Sequence, residues 1–335
     1  MKKFFLLTFS LSHFLTFLLS YFLTFSLSHF LTFSLSYFLT FSLLHGAGTT
    51  SANFLKISIG ARQIGMGESS AGLSDDVNSI NYNIAGLSQL GTREFSAMHL
   101  EYLQGIKYET LSYSHPFKWG TVGLSLGYLY VNDIPKTIID PNAYTEGWQY
   151  RETGSFGADD KTLLLGFSRE IEKNIFGGLG VRYLSETLDD VNSWAVSFDV
   201  GCLYRYNKKF SFGASIQNVG TELKFIEKRE RIPIIFRAGI GYRNLNGSFK
   251  TCLDFVQAID NDLEIRTGFE YAIVRVLFLR IGYRMRGFDE NYKLGYLSGL
   301  TAGVGFSLFN YNLDYGFVPY GDLGYTHRIS LSGRF

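Results

Sequence analysis

Apolar and polar residues alternate along most of the chain after residue 93, in segments of roughly ten residues separated by turn signals. Between Trp194 and Tyr204 every second residue is apolar or aromatic, whereas Ser197 and Asp199 lie between them. Because successive side chains of a β-strand point to opposite faces, this pattern predicts strands with one apolar face and one more polar face. About fourteen predicted strands lie near 93–102, 105–115, 119–130, 161–171, 174–185, 192–206, 209–218, 232–243, 247–258, 262–272, 274–285, 295–308, 310–318 and 325–335.

The connections between these strands provide a second indication, because bacterial membrane barrels have short turns on one side and longer loops on the other. The even-numbered connections, such as NKK and NLNG, are short. The odd-numbered ones include the long stretch from Val131 to Asp160 and the charged stretch from Thr221 to Arg231. A soluble β-sandwich is not expected to alternate short and long connections in this way. We therefore expect residues 93–335 to form an all-β transmembrane antiparallel β-barrel of about fourteen strands.

The last strand alternates strictly from Tyr325 to Phe335, where the chain ends on an aromatic residue. A terminal strand of this kind resembles the recognition strand by which outer-membrane barrels are handed to their insertion machinery. We expect Phe335 to act as an assembly signal, and the last strand to pair with the first one near Arg93. The barrel assembly machinery and outer-membrane lipid are then expected partners.

Composition narrows the possible functions. The formal net charge is +1 and charged residues make up 18 %, so nothing indicates a polyanion-binding surface and nucleic acid is not expected as a partner. The 22 Tyr residues suit the aromatic girdles that surround membrane barrels at both interfaces. The two cysteines, Cys202 and Cys252, lie on different predicted strands, where they could form one disulfide or fill space as small apolar residues.

The first 48 residues differ from the rest. Lys2 and Lys3 precede a long apolar run built from an eight-residue repeat, LTFSLSHF, LTFLLSYF, LTFSLSHF, LTFSLSYF and a truncated LTFSLL, and Gly46, Ala47 and Gly48 follow it. A basic start, an apolar core and small residues make up an export signal, here lengthened by tandem duplication. A retained membrane anchor is the alternative. In both cases we expect residues 1–48 to direct the protein to its location and to take no part in binding or catalysis.

Residues 49–92 are small, polar and rich in glycine, and they predict a compact irregular segment. Ser74, Asp75 and Asp76 are expected to cap a short helix through Ile80. A barrel of about fourteen strands has a lumen between those filled by side chains and those of wide porins. The segment is large enough to enter such a lumen and obstruct it.

No motif indicates an enzyme, a metal site or a cofactor. The glycine-rich GARQIGMG lacks the lysine of a phosphate-binding loop. Asp75 and Asp76 lack the spaced acidic ladder of a calcium loop. Outer-membrane lipases use a Ser and His pair, but His99, His115 and His327 are better explained by chance among so many serines. We expect no catalytic activity and no bound cofactor or metal.

Charged residues on the inward faces are the stronger candidates for function. Both signs occur among them, so cross-lumen ion pairs that stiffen the barrel are expected, whereas an ion-selective pore would show one dominant sign. The candidates are Asp199, Arg237, Asp254, Glu264, Arg266, Glu270, Arg280, Asp314 and Arg328.

Three stretches together resemble one family. They are GARQIGMGESSAGLSDD followed by NYNIAGL, then SFGASIQNVG at Ser211 to Gly220, and finally YNLDYGFVPYGDLGYTHRISLSGRF. They are similar to the PorV/PorQ group of outer-membrane proteins, which is related in fold to the FadL fatty-acid transporters. Family members usually have Pro where this chain has Ile84, which should loosen the turn locally and leave the fold intact.

The resemblance implies a fourteen-stranded barrel in the bacterial outer membrane with an N-terminal hatch in the lumen. It implies either a plugged transporter for hydrophobic small molecules such as long-chain fatty acids, or a PorV-like component of type IX secretion that docks or shuttles exported proteins. The partner is then a hydrophobic ligand or a secreted cargo protein. The hatch motif carried over to this chain comprises Gly60, Ala61, Arg62, Gly65, Met66, Gly67, Asp75, Asp76, Asn83, Ala85, Gly86 and Leu87.

Overall fold

Fourteen long antiparallel strands close into one barrel in the computed structural model, which describes residues 48–139, 150–286 and 299–335. The barrel strands are β1 (Glu94–Glu101), β2 (Lys107–Phe117), β3 (Gly120–Ile139), β4 (Tyr150–Glu172), β5 (Ile175–Leu188), β6 (Val191–Arg205), β7 (Phe210–Gly220), β10 (Ile235–Arg243), β11 (Phe249–Ala258), β12 (Glu264–Val274), β13 (Leu277–Arg286), β14 (Leu300–Leu308), β15 (Tyr311–Pro319) and β16 (Tyr325–Arg334). Two short strands, β8 (Leu223–Phe225) and β9 (Lys228–Glu230), form a separate hairpin between β7 and β10. The predicted fold class is confirmed.

The first and last strands close the barrel. Glu94 pairs with Arg334 and Glu101 pairs with His327, so β1 lies between β16 and β2. The backbone N–H of Phe335 also donates to the carbonyl oxygen of Arg93 at 3.0 Å. The sheet therefore has no open edge along this seam, as a strand surrounded by hydrocarbon requires.

The two ends of the barrel differ in their connections. At one end, here called the turn end, the connections after β2, β4, β6, β10, β12 and β14 have two to five residues. The opposite end, the loop end, carries the remaining connections, including the β8–β9 hairpin. One prediction was wrong: much of Val131 to Asp160, expected as a loop, belongs to β3 and β4. A bulge with a left-handed Asp133 and the presence of Pro135 interrupt the alternation there.

On the strands, many large apolar side chains are exposed and many polar side chains are buried, which is the reverse of a soluble protein. In β6, Trp194 and Phe198 are exposed, whereas Ser197 and Asp199 are buried, as the alternation predicted. Exposed large apolar side chains recur on the barrel strands, and aromatic rings stack near the strand ends, as in the run from His115 through Phe117 to Trp119. An exposed apolar belt with aromatic borders faces a bilayer, and the buried polar face lines the lumen.

Helical structure is confined to short pieces. The α-helix α1 comprises Ala61–Gly65, and 3₁₀ turns comprise Asn53–Lys56, Val77–Asn81, Ile84–Gln89, Leu103–Gly105 and Gly321–Leu323. Asp76 caps the turn at Val77–Asn81 by accepting a hydrogen bond from the backbone N–H of Asn78 at 3.0 Å, close to the predicted cap. Within the described part of the chain, none of the helices has the length and apolar character needed to cross a bilayer.

Residues 48–92, called here the N-terminal segment, run through the lumen. At the loop end the N–H of Gly48 donates to the carbonyl of Asp260 at 3.1 Å. At the turn end the Gln89 side chain accepts a hydrogen bond from Arg205 at 3.0 Å. The segment contacts strands on several sides of the barrel. Except for Gly48, the predicted export signal lies outside the described residues, and the function of the segment as a hatch stays a prediction.

Glycines in the wall allow the backbone of the segment to approach the sheet. A Cβ atom on Gly213 would lie 1.9 Å from the carbonyl oxygen of Ala71, and one on Gly282 would lie 1.9 Å from the nitrogen of Gly67. The wall is thus shaped for this segment. Glycines of the barrel strands whose added Cβ would lie within 3 Å of the segment's backbone include Gly178, Gly213, Gly239, Gly241, Gly268, Gly282 and Gly316.

Substituting Gly213→Ala should destabilise the protein by about 1–3 kcal/mol, because the added methyl group collides with the Ala71 carbonyl. The midpoint of urea unfolding, followed by heat-modifiable gel mobility, measures this change. Gly91→Ala is the matched control, since a Cβ there meets nothing within 4 Å. Equal midpoints for the two variants would contradict a close fit between the wall and the segment.

Candidate functional site

The lumen contains all nine inward charged residues that the alternation singled out. Each is buried, although none belongs to an apolar core. Seven of them, all but Arg237 and Arg328, bind neighbouring strands or the N-terminal segment in two ion-pair networks and two smaller contacts. Their function stays a prediction. The buried candidates are Asp199, Arg237, Asp254, Glu264, Arg266, Glu270, Arg280, Asp314 and Arg328.

Glu270 is the centre of the first network, which lies towards the turn end. One carboxylate oxygen, Oε2, accepts hydrogen bonds from Arg280 Nε at 2.7 Å and from Arg62 Nε at 2.8 Å. Lys250 lies 3.4 Å from the other oxygen. Glu270 and Arg280 face each other across β12 and β13, which explains their contact. Arg280 Nη1 also reaches Asp314 at 2.6 Å.

Arg62 connects this network to the N-terminal segment. Its Nη1 atom lies 2.7 Å from Asp75 and 2.6 Å from Asp76, while its Nε atom bonds Glu270 on the wall. Lys250 of β11 reaches Asp75 at 2.9 Å from the other side. Arg62 thus contacts both aspartates and Lys250 contacts Asp75, which opposes a calcium site there. Asp75 holds the segment to the wall through Lys250, whereas Asp76 binds Arg62 and Gln63 within the segment.

Glu68 of the N-terminal segment is the centre of the second network, towards the loop end. It accepts a hydrogen bond from Arg284 Nη1 at 2.6 Å and one from the Ser58 hydroxyl at 2.8 Å. Arg266 Nη1 lies 3.0 Å from Glu68, and Arg266 Nη2 lies 2.6 Å from Glu264. Sequence analysis missed Glu68 and Arg284. Arg284 is four residues after Arg280 on the same inward face, so the alternation could have identified it.

Two other inward aspartates bind backbone groups. Asp254 accepts hydrogen bonds from the N–H groups of Ser70 at 2.7 Å and Ala71 at 2.8 Å, which fixes the middle of the N-terminal segment. Asp199 pairs with Arg182 at 2.9 Å and accepts from the N–H of Asn218 at 2.7 Å. Asp254 therefore fastens the segment, whereas Asp199 stabilises the wall itself.

Several members of the predicted hatch motif contact the wall. The N–H of Ala61 donates to Ser330 Oγ at 2.8 Å, and the N–H of Gly67 donates to Thr301 Oγ1 at 3.0 Å. Asn83 Nδ2 donates to the carbonyl oxygen of Cys202 at 2.9 Å. Arg62, Asp75 and Asp76 are partly buried, and the fully buried members are Gly60, Ala61, Gly65, Met66, Gly67, Asn83, Ala85, Gly86 and Leu87.

Asp260, in the loop between β11 and β12, holds the start of the N-terminal segment. Its Oδ2 atom accepts hydrogen bonds from the Thr50 hydroxyl at 2.6 Å and from Lys56 Nζ at 2.6 Å. Burial raises the pKa of this carboxyl group, but Lys56 and Thr50 outweigh burial and hold the pKa below its usual value. Asp260 therefore stays ionised and keeps the segment attached near neutral pH.

Two cavities lie on opposite sides of the N-terminal segment. The cavity at the loop end has a volume of about 310 Å³, and Glu68, Arg237 and Arg328 line it with Tyr102 and Tyr320. A cavity of about 180 Å³ lies at the turn end. Its walls include the Arg62, Glu270 and Arg280 side chains of the first network. The segment therefore lies between two cavities of the lumen, each large enough to hold water molecules.

The three histidines that were considered for catalysis have different hydrogen-bond partners. His99 bonds Glu109 at 2.7 Å, His115 bonds Tyr113 at 3.2 Å and His327 bonds Tyr315 at 2.6 Å. None of these contacts is a Ser and His pair. Among the residues that the structure describes, no cluster of three or more His, Cys, Asp or Glu side chains could hold a metal ion.

The two cysteines are not bonded to each other. Cys202 is exposed and Cys252 is buried, so they lie on opposite faces of the barrel wall. Cys252 packs with Met66 and Leu73 of the N-terminal segment, and its thiol donates to Asp254 at 3.1 Å. The sequence left open either one disulfide or two unbonded cysteines, and the structure contains two unbonded cysteines.

Comparison with known proteins shows the fold. No protein-family model and no curated protein sequence matches the chain. Among solved structures, the toluene transporter TodX of Pseudomonas putida has 13 % identity and a TM-score of 0.56, covering 87 % of this chain and 99 % of that one. The toluene transporter TbuX of Ralstonia pickettii has 12 % identity and a TM-score of 0.55, covering 83 % and 98 %. A Pseudomonas aeruginosa FadL homologue has 11 % identity and a TM-score of 0.53, covering 83 % and 98 %.

The chain therefore has a FadL-like barrel fold, as the resemblance implied. At these identities the likeness concerns the fold alone. Membership of the PorV/PorQ group stays a prediction.

Replacing Glu270 by Gln should destabilise the protein by about 3–5 kcal/mol, because Arg62 and Arg280 lose the carboxylate that they share in a buried site. The urea midpoint measures the loss, and faster proteolysis of the N-terminal segment should accompany it. Glu109→Gln is the control: its ion pair with His99 is exposed and should contribute less than about 1 kcal/mol. Equal effects of the two substitutions would show that the Glu270 network contributes little.

Proposed function

We propose that this protein is a non-enzymatic barrel of the bacterial outer membrane that admits small hydrophobic molecules, such as long-chain fatty acids, and that residues 49–92 act as its hatch. The observation that carries the proposal is the position of the N-terminal segment between the two cavities of the lumen. A molecule that passes from one cavity to the other has to displace part of this segment. Plugged transport agrees with this arrangement better than open diffusion does.

The way the segment is held supports its action as a hatch. Hydrogen bonds and ion pairs attach it to the wall at Asp260, Asp254 and Glu270. These contacts are polar, so water that enters when the segment moves can solvate the groups that it leaves. The segment can therefore leave its position in parts. Asp260, where the segment begins, lies in a loop, so detachment there breaks no contact of a barrel strand.

Apolar contacts between the segment and the wall support a hydrophobic ligand. Near the loop end, Phe54 packs with Leu184, Leu223 and Ile232, and these side chains are buried. When the segment moves, the same surface would become available to an apolar molecule. Binding of such a molecule would compensate for the apolar area that the segment no longer covers.

Export through an N-terminal signal is part of this proposal, since a barrel of the outer membrane has to cross the inner membrane first. We infer that residues 1–48 provide the signal. Mass determination of the purified protein distinguishes a removed signal from a retained anchor.

A component of type IX secretion is the second candidate, and one observation favours it. Strands β3 and β4 extend beyond both neighbours, since β2 begins opposite Tyr130 and β5 ends opposite Ala158. The projecting part, residues 131–139 and 150–157, is called here the β3–β4 arm. Its exposed strand edges could receive an extended polypeptide by strand addition.

Uptake measurements test the leading proposal. In vesicles with lipopolysaccharide in the outer leaflet, the full barrel should increase uptake of labelled oleate over empty vesicles and conduct ions poorly. Deletion of residues 49–92 should raise ion conductance strongly, because the lumen is no longer obstructed. Heat-modifiable mobility verifies that the shortened barrel is folded, and the Gly91→Ala barrel serves as the control. Oleate uptake equal to that of empty vesicles would exclude the transport proposal, and unchanged conductance after the deletion would exclude the hatch.

A pull-down from solubilised membranes tests the second candidate. If the protein takes part in secretion, exported proteins and a large translocon should be isolated with it, and deletion of the β3–β4 arm should abolish their recovery. Deletion of the β8–β9 hairpin is the control at the same end of the barrel. Recovery of the barrel alone in all three preparations would exclude the secretion proposal.

Deletion of Phe335 should reduce the amount of folded barrel in the membrane, if this residue is the assembly signal. Its ring is exposed and lies 6.3 Å from the ring of Phe95 and 6.4 Å from that of Tyr113. The heat-modifiable fraction in membrane preparations measures assembly. Phe309→Ala is the control, since Phe309 is an exposed aromatic residue in a turn at the same end of the barrel. Normal assembly without Phe335 would refute its role.

A further inference from the structure

The cavity at the loop end has an unusual surface for a protein that admits hydrophobic molecules. Ligand pockets are lined mostly by apolar and aromatic side chains. Here eight of the seventeen lining residues are charged, and basic residues outnumber acidic ones. The basic residues of the lining are Lys56, Arg237, Arg266, Arg284 and Arg328, and the acidic ones are Glu68, Asp262 and Glu264.

The ion pairs around the cavity leave two of the five cations without a carboxylate. Arg266 and Arg284 pair with Glu68, and Arg266 also pairs with Glu264. Lys56 pairs with Asp260. Arg237 and Arg328 have no ion pair with any residue in 48–139, 150–286 or 299–335. Arg237 and Arg328 are therefore the two guanidinium groups of the lining without an ion pair, and Asp262 is a carboxylate of the lining outside these pairs.

Arg328 is the more deeply buried of the two. It is 1 % exposed and ranks among the largest fully buried side chains of the described residues. Its Nε and Nη1 atoms have no hydrogen-bond partner within the described chain. Its strand neighbours are Leu100 on β1 and Gly316 on β15, neither of which has a side chain that could accept a hydrogen bond. A buried cation without a partner is costly, and an anion that entered the cavity would remove this cost.

Arg237 has hydrogen-bond partners for only part of its guanidinium group. Its Nε atom donates to Gln217 Oε1 at 2.9 Å, and its guanidinium lies 5.2 Å from the ring centre of Tyr82. Its Nη1 atom has no hydrogen-bond partner among the described residues, and the whole residue is buried. Both contacts are with neutral groups, so the guanidinium has no carboxylate in direct contact among the described residues. Arg237 thus provides a second position for an anionic group.

The rest of the lining suits a short organic spacer. Ile57, Ile235 and Val256 supply apolar surface. The rings of Tyr102 and Tyr320 meet edge to face at 5.8 Å, and the guanidinium of Arg284 lies 5.6 Å from the ring centre of Tyr320. A volume of about 310 Å³ is at the lower end of the range for small-molecule pockets.

We propose that the loop-end cavity is a binding site for small organic dianions, such as dicarboxylates with a short hydrocarbon spacer, whose two acidic groups meet Arg237 and Arg328. Charge-assisted hydrogen bonds from guanidinium to carboxylate are strong and directional, which favours this class of ligand. The proposal builds on the proposed function, since it names a substrate class for the same lumen. It differs in one respect: a fatty acid has one carboxylate and would leave one guanidinium uncompensated.

Calorimetric titration of the purified full-length barrel in detergent tests this site. The probes are suberate, octanoate and 1,8-octanediol, which share an eight-carbon chain and carry two, one and no acidic groups. Suberate should bind about tenfold more tightly than octanoate, and the diol should not bind. Succinate and adipate test shorter spacers, and inorganic phosphate tests whether any small anion suffices. Equal binding of octanoate and suberate, or binding of phosphate without any dicarboxylate, would overturn the proposal.

Substitutions identify the two cations. Arg328→Gln and Arg237→Gln should each reduce suberate affinity about tenfold or more. Arg231→Gln is the control, because Arg231 lies at the same end of the barrel but is exposed. Without ligand, Arg328→Gln should unfold at a higher urea concentration than the unsubstituted protein, since it removes an uncompensated buried charge. A lower midpoint for this variant, with no suberate binding by the unsubstituted protein, would assign Arg328 a structural role.

The outcomes separate this proposal from the proposed function. Oleate uptake in vesicles without any binding of dicarboxylates would exclude the dianion site and leave hydrophobic transport intact. Dicarboxylate binding without oleate uptake would exclude hydrophobic transport and retain the site.

Discussion

Backbone groups surrounded by hydrocarbon must find their hydrogen-bond partners within the protein, and the rest of this structure depends on that requirement. The seam between β1 and β16 meets it by closing the sheet. Once the sheet is closed and the register is set, each residue of a strand faces either lipid or lumen. Apolar residues such as Phe198 then lie outside, and charged residues such as Asp199 lie inside. The location of the charges is therefore a consequence of closure.

A lumen of this kind creates a second requirement, because charges removed from bulk water need partners. The wall satisfies part of it across neighbouring strands, as between Glu270 and Arg280. The N-terminal segment satisfies much of the rest by supplying Arg62 and Glu68. Glycines in the wall let its backbone come close enough for these contacts. At the loop-end cavity the compensation is incomplete, and this is where the structure indicates a ligand.

The fold could be predicted from the sequence because alternation is a local property of each strand. For the same reason, the nine inward charges could be identified. The partners could not be predicted, because the contact of Glu270 with Arg62 joins residues far apart in the sequence. The outer parts of β3 and β4 were missed because Asp133 and Pro135 break the alternation there. Glu68 was not predicted as an inward charge, because the segment that contains it has no periodic pattern.

The enclosed position of the N-terminal segment has a consequence for the order of assembly. Joining β1 to β16 brings together two strands that are far apart in the sequence, and closing so long a loop is entropically costly. The wall lies so close to the segment at Gly213 and Gly282 that threading it through a finished barrel would require moving the sheet. The sheet must therefore curl around the segment before its last seam forms. The segment is then enclosed as the barrel closes, before any role in passage through the lumen.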